Sequence, residues 1–327
     1  MIYRFIYLLL IVCLLAAGCG REIDLNNTGS GIPPAVPVGL AIDFAHDGII
    51  EISWQMNPEP DLTGYNVYRS INKGNFVLVT FTSNNYYDDD SLDYSTIYSY
   101  KVSAVNSSNM ESRLSDSVFA KPVNLYAPSA PAPYTFNINA KNELGKKSVS
   151  LNWNPNPEGD VQWYFIYRSV NQTFNADSTT FIGKSLTPSF TDSMNLTLYT
   201  NYYYKLRAVD KGGLQSADSR IVYDMVFGIP ELAFPQNNSI VGYFSQFKII
   251  PLPVPADYKI IVQTNPYFGE IQETDLNTSQ INDTLFVDFT ASFLETNVPY
   301  YWRVATYSPN STNPNSISPL YQFTIKQ

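Results

Sequence analysis

Apolar and polar residues alternate along most of this chain, and a period of two residues predicts β-strands. In one such run Tyr98, Tyr100 and Val102 fall on the same strand face, with polar residues between them. The same alternation returns over 202–208 and 300–304. After the first 20 residues no ten-residue window shows an apolar period of 3.6 residues, so the sequence predicts an all-β chain.

Two stretches of the chain are near-copies of each other at a distance of about 100 positions. SWQMNPEPDLTGYNVYRS occupies 53–70, NWNPNPEGDVQWYFIYRS occupies 152–169, and nine of the eighteen aligned residues are identical. A second landmark is a Leu six positions before a Tyr, which occurs at Leu92–Tyr98, Leu196–Tyr202 and Leu294–Tyr300. Three units of about 100 residues, built from short strands and turns, indicate tandem β-sandwiches.

The N-terminus has the three parts of an export signal. Met1–Arg4 carries a positive charge and Phe5–Leu15 is apolar. The small residues of 16–18 precede Cys19. Because a bilayer span needs about 20 apolar residues, this stretch is short for a permanent membrane helix, and cleavage is favoured over permanent insertion. We therefore predict a signal peptide over residues 1–18.

The ending LAAGC resembles the lipobox of bacterial lipoproteins, although Ala16 stands where that family more often has Leu. The resemblance implies cleavage between Gly18 and Cys19 and attachment of palmitate-like acyl chains to Cys19. The alternative is an ordinary signal peptide with an incidental Cys. Of the two Cys, Cys13 lies in the leader, so cleavage leaves one thiol and no intramolecular disulfide. The segment 19–36, rich in Gly, Asn and Pro, is predicted to be a flexible tether.

Charge and composition exclude several classes of function. The net charge is −9 and no Lys/Arg cluster follows the leader, which argues against nucleic-acid binding. The chain has a single His, His46, so neither a zinc site with Cys19 nor a His-containing triad can be assembled. We expect no enzymatic activity, no catalytic residue, no metal and no cofactor.

The repeated loops place pairs of carboxylates one residue apart, at Glu59 and Asp61 and again at Glu158 and Asp160. A calcium site needs six or more oxygen ligands, so we interpret these loops as strand connections rather than metal sites. The acidic run Asp88–Asp90 is expected to be a solvated turn rather than part of a glycosidase carboxylate pair.

The first two units resemble fibronectin type III domains. The family's core Trp is matched by Trp54 and Trp153, and its corner Tyr by Tyr98 and Tyr202. The Pro-Gly that the family carries between its Leu and Tyr is absent. The resemblance implies that these Trp and Tyr residues are structural. The predicted domains are 37–125, 126–227 and 228–327.

The third unit fits the resemblance less well. Pro251 follows the sequence FKII, where the family would have a Trp. We predict a fibronectin-like or immunoglobulin-like sandwich of uncertain type, with Tyr300 and Trp302 in its core because both follow the period-two pattern.

Trp163 is the aromatic residue that the repeat does not explain. It aligns with Gly64 in the first unit, so the fold does not require a large side chain there. An exposed indole at the start of a strand can stack on a sugar or anchor a protein partner. The alternatives are that Trp163 covers a domain junction or lies over its own loop.

Three hypotheses for the function follow. The first is a non-enzymatic lipoprotein of the cell envelope, held in the bilayer through acylated Cys19, whose sandwiches act as spacers and as protein-interaction or adhesion modules. By resemblance, Gly20 rather than Asp after the Cys favours the outer over the inner membrane. The second is a glycan-binding surface lipoprotein, and the third an inactive accessory subunit of an extracellular hydrolase. The expected partner is an envelope protein or a glycan.

Overall fold

The computed structural model describes residues 31–327 apart from 132, 134, 282, 292, 293 and 310. Gly18, Cys19 and the beginning of the tether therefore lie outside the described residues. Within the described part every regular element is a β-strand, which confirms the predicted all-β class. The chain divides into two compact units, one ending at Val123 and the other covering Asn124–Gln327.

The first unit holds a sandwich of seven strands, with a three-stranded sheet facing a four-stranded one. Its strands are β1 (Ala41–His46), β2 (Ile49–Ser53), β3 (Leu62–Ile71), β4 (Val77–Thr82), β5 (Tyr86–Asp89), β6 (Tyr98–Asn106) and β7 (Val118–Ala120). The sheet orders are β1-β2-β5 and β4-β3-β6-β7. Asp47 and Gly48 close the β1–β2 hairpin with φ angles of 49° and 73°, which suit a tight turn.

The second sandwich repeats this arrangement. Its strands are β8 (Phe136–Glu143), β9 (Lys146–Trp153), β10 (Val161–Ser169), β11 (Phe181–Ser185), β12 (Ser189–Asp192), β13 (Asn201–Asp210) and β14 (Val222–Met225). One sheet has the order β12-β9-β8 and the other β11-β10-β13-β14. In both sandwiches the core Trp meets a Tyr edge-on, Trp54 with Tyr65 and Trp153 with Tyr164.

The third sandwich follows in the same unit. Its strands are β15 (Glu231–Phe234), β16 (Ser239–Val241), β17 (Gln246–Ile250), β18 (Ala256–Gln263), β19 (Glu270–Thr278), β20 (Leu285–Asp288), β21 (Pro299–Tyr307), β22 (Ser316–Ile317) and β23 (Tyr321–Ile325). One sheet has the order β15-β17-β20. In the other, β21 pairs with β18, β22 and β23, β19 pairs with β18, and β16 pairs with β23.

The buried Trp of the third sandwich lies in the sheet that faces β17, not in the sheet that contains β17. Pro251 follows β17, and the buried indole is that of Trp302 on β21. The ring of Trp302 lies 4.7 Å from that of Phe247, and its Nε1 donates to the carbonyl of Pro235 at 3.1 Å. The missing Trp after FKII is thus replaced by one that reaches into the interior from the facing sheet.

A buried polar seam joins the second and third sandwiches. β22 pairs with β8 in parallel, Ser316 opposite Asn142, and this bridge makes one nine-stranded sheet of strands from both sandwiches. Asn142 Nδ2 donates to the Phe227 carbonyl at 2.9 Å. Asn315 accepts from the Phe227 N–H at 2.8 Å and donates to the Met225 carbonyl at 2.7 Å. The seam is therefore held by amide side chains that satisfy buried backbone groups.

Candidate functional site

In the first sandwich, the loop of residues 57–59 binds the segment of chain that precedes the sandwich. Asn57 Nδ2 donates to the carbonyl of Ala35 at 2.9 Å, and the N–H of Ala35 donates to Glu59 Oε1 at 2.6 Å. The Ala35 N–H lowers the pKa of Glu59, because it stabilises the carboxylate. The backbone N–H of Asn57 also donates to the hydroxyl of Tyr65, which ties the loop to the core.

The second sandwich repeats this pair of hydrogen bonds. Asn156 Nδ2 donates to the Ser129 carbonyl at 2.8 Å, and the Ser129 N–H donates to Glu158 Oε1 at 2.7 Å. Burial opposes ionisation of Glu158, but the hydrogen bonds from Ser129 outweigh it and lower the pKa. In the described part of the chain no group of three or more His, Cys, Asp or Glu is placed to hold a metal ion. Through these hydrogen bonds the shared motif fastens the segment that precedes each of the two sandwiches.

A buried Arg–Asp–Tyr network lies at the end of the first sandwich core. Arg69 Nη1 donates to both carboxylate oxygens of Asp89 at 2.8 and 2.9 Å, and the hydroxyl of Tyr100 donates to Asp89 at 2.6 Å. Burial raises the pKa of Tyr100. The expectation that Asp88–Asp90 forms a solvated turn was wrong for Asp88 and Asp89, which both lie in strand β5. Asp88 is exposed there, but Asp89 is buried because Arg69 and Tyr100 bond its carboxylate.

The second sandwich contains the same network. Arg168 Nη1 donates to Asp192 at 2.6 Å, and the hydroxyl of Tyr204 donates to the same carboxylate at 2.8 Å. The backbone N–H of Met194 donates to its other oxygen at 3.0 Å. The Arg of the repeated YRS sequence thus neutralises a buried carboxylate that is distant in sequence.

The aromatic residues that the sequence assigned to structure are buried. Trp54, Trp153 and Trp302 lie in the three cores. Three tyrosine hydroxyls each accept a hydrogen bond from the backbone N–H five residues earlier, at 3.0, 2.9 and 2.8 Å; the residues are Tyr98 with Asp93, Tyr202 with Thr197 and Tyr300 with Glu295. Each bond fixes the chain where it crosses into the following strand.

Tyr202→Phe is expected to lower the free energy of unfolding of the second sandwich by about 1 to 2 kcal/mol, because the N–H of Thr197 loses its acceptor. Denaturant unfolding followed by hydrogen exchange in β13 measures the change. Tyr203→Phe is the matched control, since Tyr203 points outward and packs against Tyr223. Equal midpoints for Tyr202→Phe and the unsubstituted protein would contradict the role assigned to the hydroxyl.

The outward face of β10 is aromatic. Trp163, Phe165 and Tyr167 alternate along it, and Tyr167 is itself buried, with Phe181 and Arg207 against its ring. Tyr164 and Ile166, between them, point into the core. Trp163 lies opposite Val209 in the second sandwich, as Gly64 lies opposite Val105 in the first. By the same register, the first sandwich carries at the three outward positions Gly64, Asn66 and Tyr68.

Trp163 is half-buried within β10, and a cation covers one face of its ring. Lys184 Nζ lies 3.7 Å from the centre of the Trp163 ring. In the first sandwich the counterpart of Lys184 is Phe81, and a Cβ added at Gly64 would lie 2.6 Å from Phe81 Cζ. A large aromatic side chain thus fills this space in both sandwiches. In the second sandwich it is Trp163 on β10, and in the first it is Phe81 on β4.

Beside Trp163 a groove of about 690 Å³ opens on the outward face. We call it the aromatic groove; the side chains that define it are Phe165, Tyr167, Phe181, Lys184, Arg207 and Gln215. Phe181 meets the rings of Phe165 and Tyr167 edge-on at 5.3 and 5.8 Å, and 40% of it is exposed. The groove is therefore walled by aromatic rings that are mounted on a sheet.

Cationic groups are fixed along the aromatic groove. The guanidinium of Arg207 lies 5.6 Å from the centre of the Tyr167 ring, and its Nε donates to Asp218 at 2.7 Å. Lys205 Nζ donates to the same carboxylate at 3.1 Å. Burial opposes ionisation of Asp218, but the bonds from Arg207 and Lys205 outweigh it and lower the pKa. The positive charges are thus held in defined positions.

The sequence singled out Trp163 and missed the rest of this face. Phe181 and Arg207 lie in other strands, and only the pairing with β10 brings them together. A signal was present for Phe165, because the first repeat has Asn66 at the same outward position. Comparing all outward positions of the two repeats, rather than Trp163 alone, would have indicated the face.

In the described part of the chain no helix has the length and apolarity that a membrane crossing requires. No protein-family model matches the chain, and no curated protein matches it. Among solved structures it is similar to the crystal structure of the FN1–FN3 domains of chicken CNTN1. That match has 13% identity and a TM-score of 0.36, and covers 90% of this chain and 100% of that one. The assignment of the fold rests on the strand orders and registers.

Proposed function

We propose that this protein is a non-enzymatic lipoprotein of the bacterial cell envelope, whose sandwiches hold an interaction surface away from the membrane. The lipobox-like ending at Cys19 supports the anchor, and several acyl chains on one residue give durable membrane attachment. The tether over 19–36 separates this anchor from the first sandwich. Gly20 supports the outer membrane as the location.

The observation that carries the interaction role is the aromatic outward face of the second sandwich. Trp, Tyr and Arg dominate the binding energy of protein interfaces, and this face carries Trp163 and Arg207. The first sandwich has the same strand orders with Gly64 and Asn66 where the second has Trp163 and Phe165. The outward aromatic residues of β10 thus differ between two sandwiches with the same strand orders, and this difference supports a binding role.

The anchor is tested by Cys19→Ala in a bacterium that processes lipoproteins. The variant is expected to leave the detergent-soluble membrane fraction, because the acyl chains lose their attachment site. Cys13→Ala in the leader is the matched control and should stay with the membrane. If the Cys19→Ala protein remains membrane-bound with unchanged mobility, the lipid assignment is wrong.

The binding face is tested with Phe165→Asn, which installs the residue that the first repeat has at this position. We measure retention of the mature, unlipidated chain on washed envelopes of the bacterium that makes it. The expected loss of affinity is about tenfold or more, the usual effect of removing an aromatic anchor. Phe81→Ala, on the first sandwich, is the control. Equal retention of Phe165→Asn and the unsubstituted chain would refute the assignment of this face.

A further inference from the structure

We infer that the aromatic groove binds a carbohydrate chain that carries carboxylates. The inference rests on the proposed function, since it uses the same face of the second sandwich. It adds the chemical class of the ligand, which the aromatic character of the face alone does not give.

The walls of the groove suit flat, partly apolar rings. Phe165 and Phe181 present aromatic surface from two adjacent strands, and Tyr167, which is buried, supports the ring of Phe181 from behind. The sheet therefore fixes their positions. Sugar rings stack on such surfaces, with polar groups nearby fixing their orientation. The volume of about 690 Å³ lies in the range of small-ligand sites. Gln215 and Ser178, at the rim, supply amide and hydroxyl groups for sugar hydroxyls.

The charge of the groove is opposite to that of the chain. The protein has a net charge of −9, yet Lys184 and Arg207 both line this site. Among the described residues, Lys184 makes its contact with the Trp163 ring and lies in no ion pair. Arg207 bonds Asp218 through Nε and Gln215 through Nη1, which leaves further N–H donors of its five. These donors suit a carboxylate.

One acidic residue also lines the groove. Asp177 is held at the rim by hydrogen bonds from the N–H and hydroxyl of Thr179, which lower the pKa of Asp177 and keep it ionised. Arg207 is ion-paired with Asp218, so Lys184 is the groove cation that lies in no ion pair among the described residues. An acidic peptide would share the charge complementarity, whereas exposed aromatic walls favour stacking by flat sugar rings.

The test is a calorimetric titration of the mature, unlipidated chain with oligogalacturonate and with the same oligomer after methyl esterification. Esterification removes the charge and keeps the rings. We expect binding to oligogalacturonate that weakens by about tenfold or more after esterification, as loss of a charge-assisted hydrogen bond implies. Lys184→Gln and Phe181→Ala should each weaken binding to a similar extent. Lys101→Gln is the control, since Lys101 packs on Phe76 of the first sandwich.

Three results would overturn the inference. These are equal affinity for the esterified oligomer, no binding to oligogalacturonate, and tighter binding to polyglutamate than to either sugar. The last would assign the groove to an acidic protein segment. In each case, envelope retention that still depends on Phe165 would leave the proposed function standing, so the two failures are distinguishable.

Discussion

Asp192→Ala is expected to lower the free energy of unfolding of the second sandwich by about 3 to 5 kcal/mol, the cost of breaking a buried ion pair from one side. The side chain of Asp192 is fully buried, and that of Arg168 is 17% exposed. Removing the carboxylate leaves the guanidinium, the Tyr204 hydroxyl and the Met194 N–H without their shared acceptor. Several buried polar groups therefore lose hydrogen bonds at once.

The measurement is the denaturant dependence of hydrogen exchange in β13, which reports on this sandwich within the whole chain. Glu143→Ala is the control, because its ion pair with Lys141 is exposed and exposed pairs contribute little. A loss for Asp192→Ala no larger than for the control would show that the network contributes nothing to stability. Asp89→Ala should have a comparable effect on the first sandwich, where Arg69 and Tyr100 bond Asp89.

Asn315→Ala is expected to lower the free energy of unfolding of the second unit by about 2 to 4 kcal/mol. The substitution leaves the N–H of Phe227 and the carbonyl of Met225 without partners, and each buried unsatisfied group costs about 1 to 3 kcal/mol. Because these groups lie in the seam, the second and third sandwiches should then exchange hydrogen with different free energies of opening. In the unsubstituted chain they should open together.

Asn237→Ala is the matched control for this change. Asn237 is exposed in the third sandwich and makes a single hydrogen bond, to the N–H of Gln322. We expect it to change the free energy of unfolding by less than about 1 kcal/mol. Independent opening of the two sandwiches in the unsubstituted chain would contradict the role given to the seam.

Features of the fold that depend on nearby residues could be predicted from the sequence. The period-two runs, the Asp47–Gly48 turn and the spacing of Leu196 and Tyr202 are encoded within a few residues. The burial of Asp89 could not be predicted in this way, because it depends on Arg69 in another strand. A run of three Asp residues looks solvated unless the partner that neutralises one of them is known.

The candidate site shows the same limit. Trp163 was recognisable because the repeat supplied Gly64 for comparison, but Phe181 and Arg207 join the face only through strand pairing. The seam between Asn142 and Asn315 was also invisible, since two Asn residues far apart in sequence carry no local signal. Side chains that act across strands need the register, which one sequence does not contain.

The shared nine-stranded sheet limits how this chain can be recombined. Independent domains joined by linkers can be exchanged one at a time. The second and third sandwiches, by contrast, share a strand pairing at Asn142 and Ser316. A chimaera cut between them would expose the edge of β8 and separate Phe227 from one of its two amide partners, Asn142 or Asn315. In protein engineering the second and third sandwiches should therefore be exchanged together, and the boundary of the compact unit that contains them follows Val123.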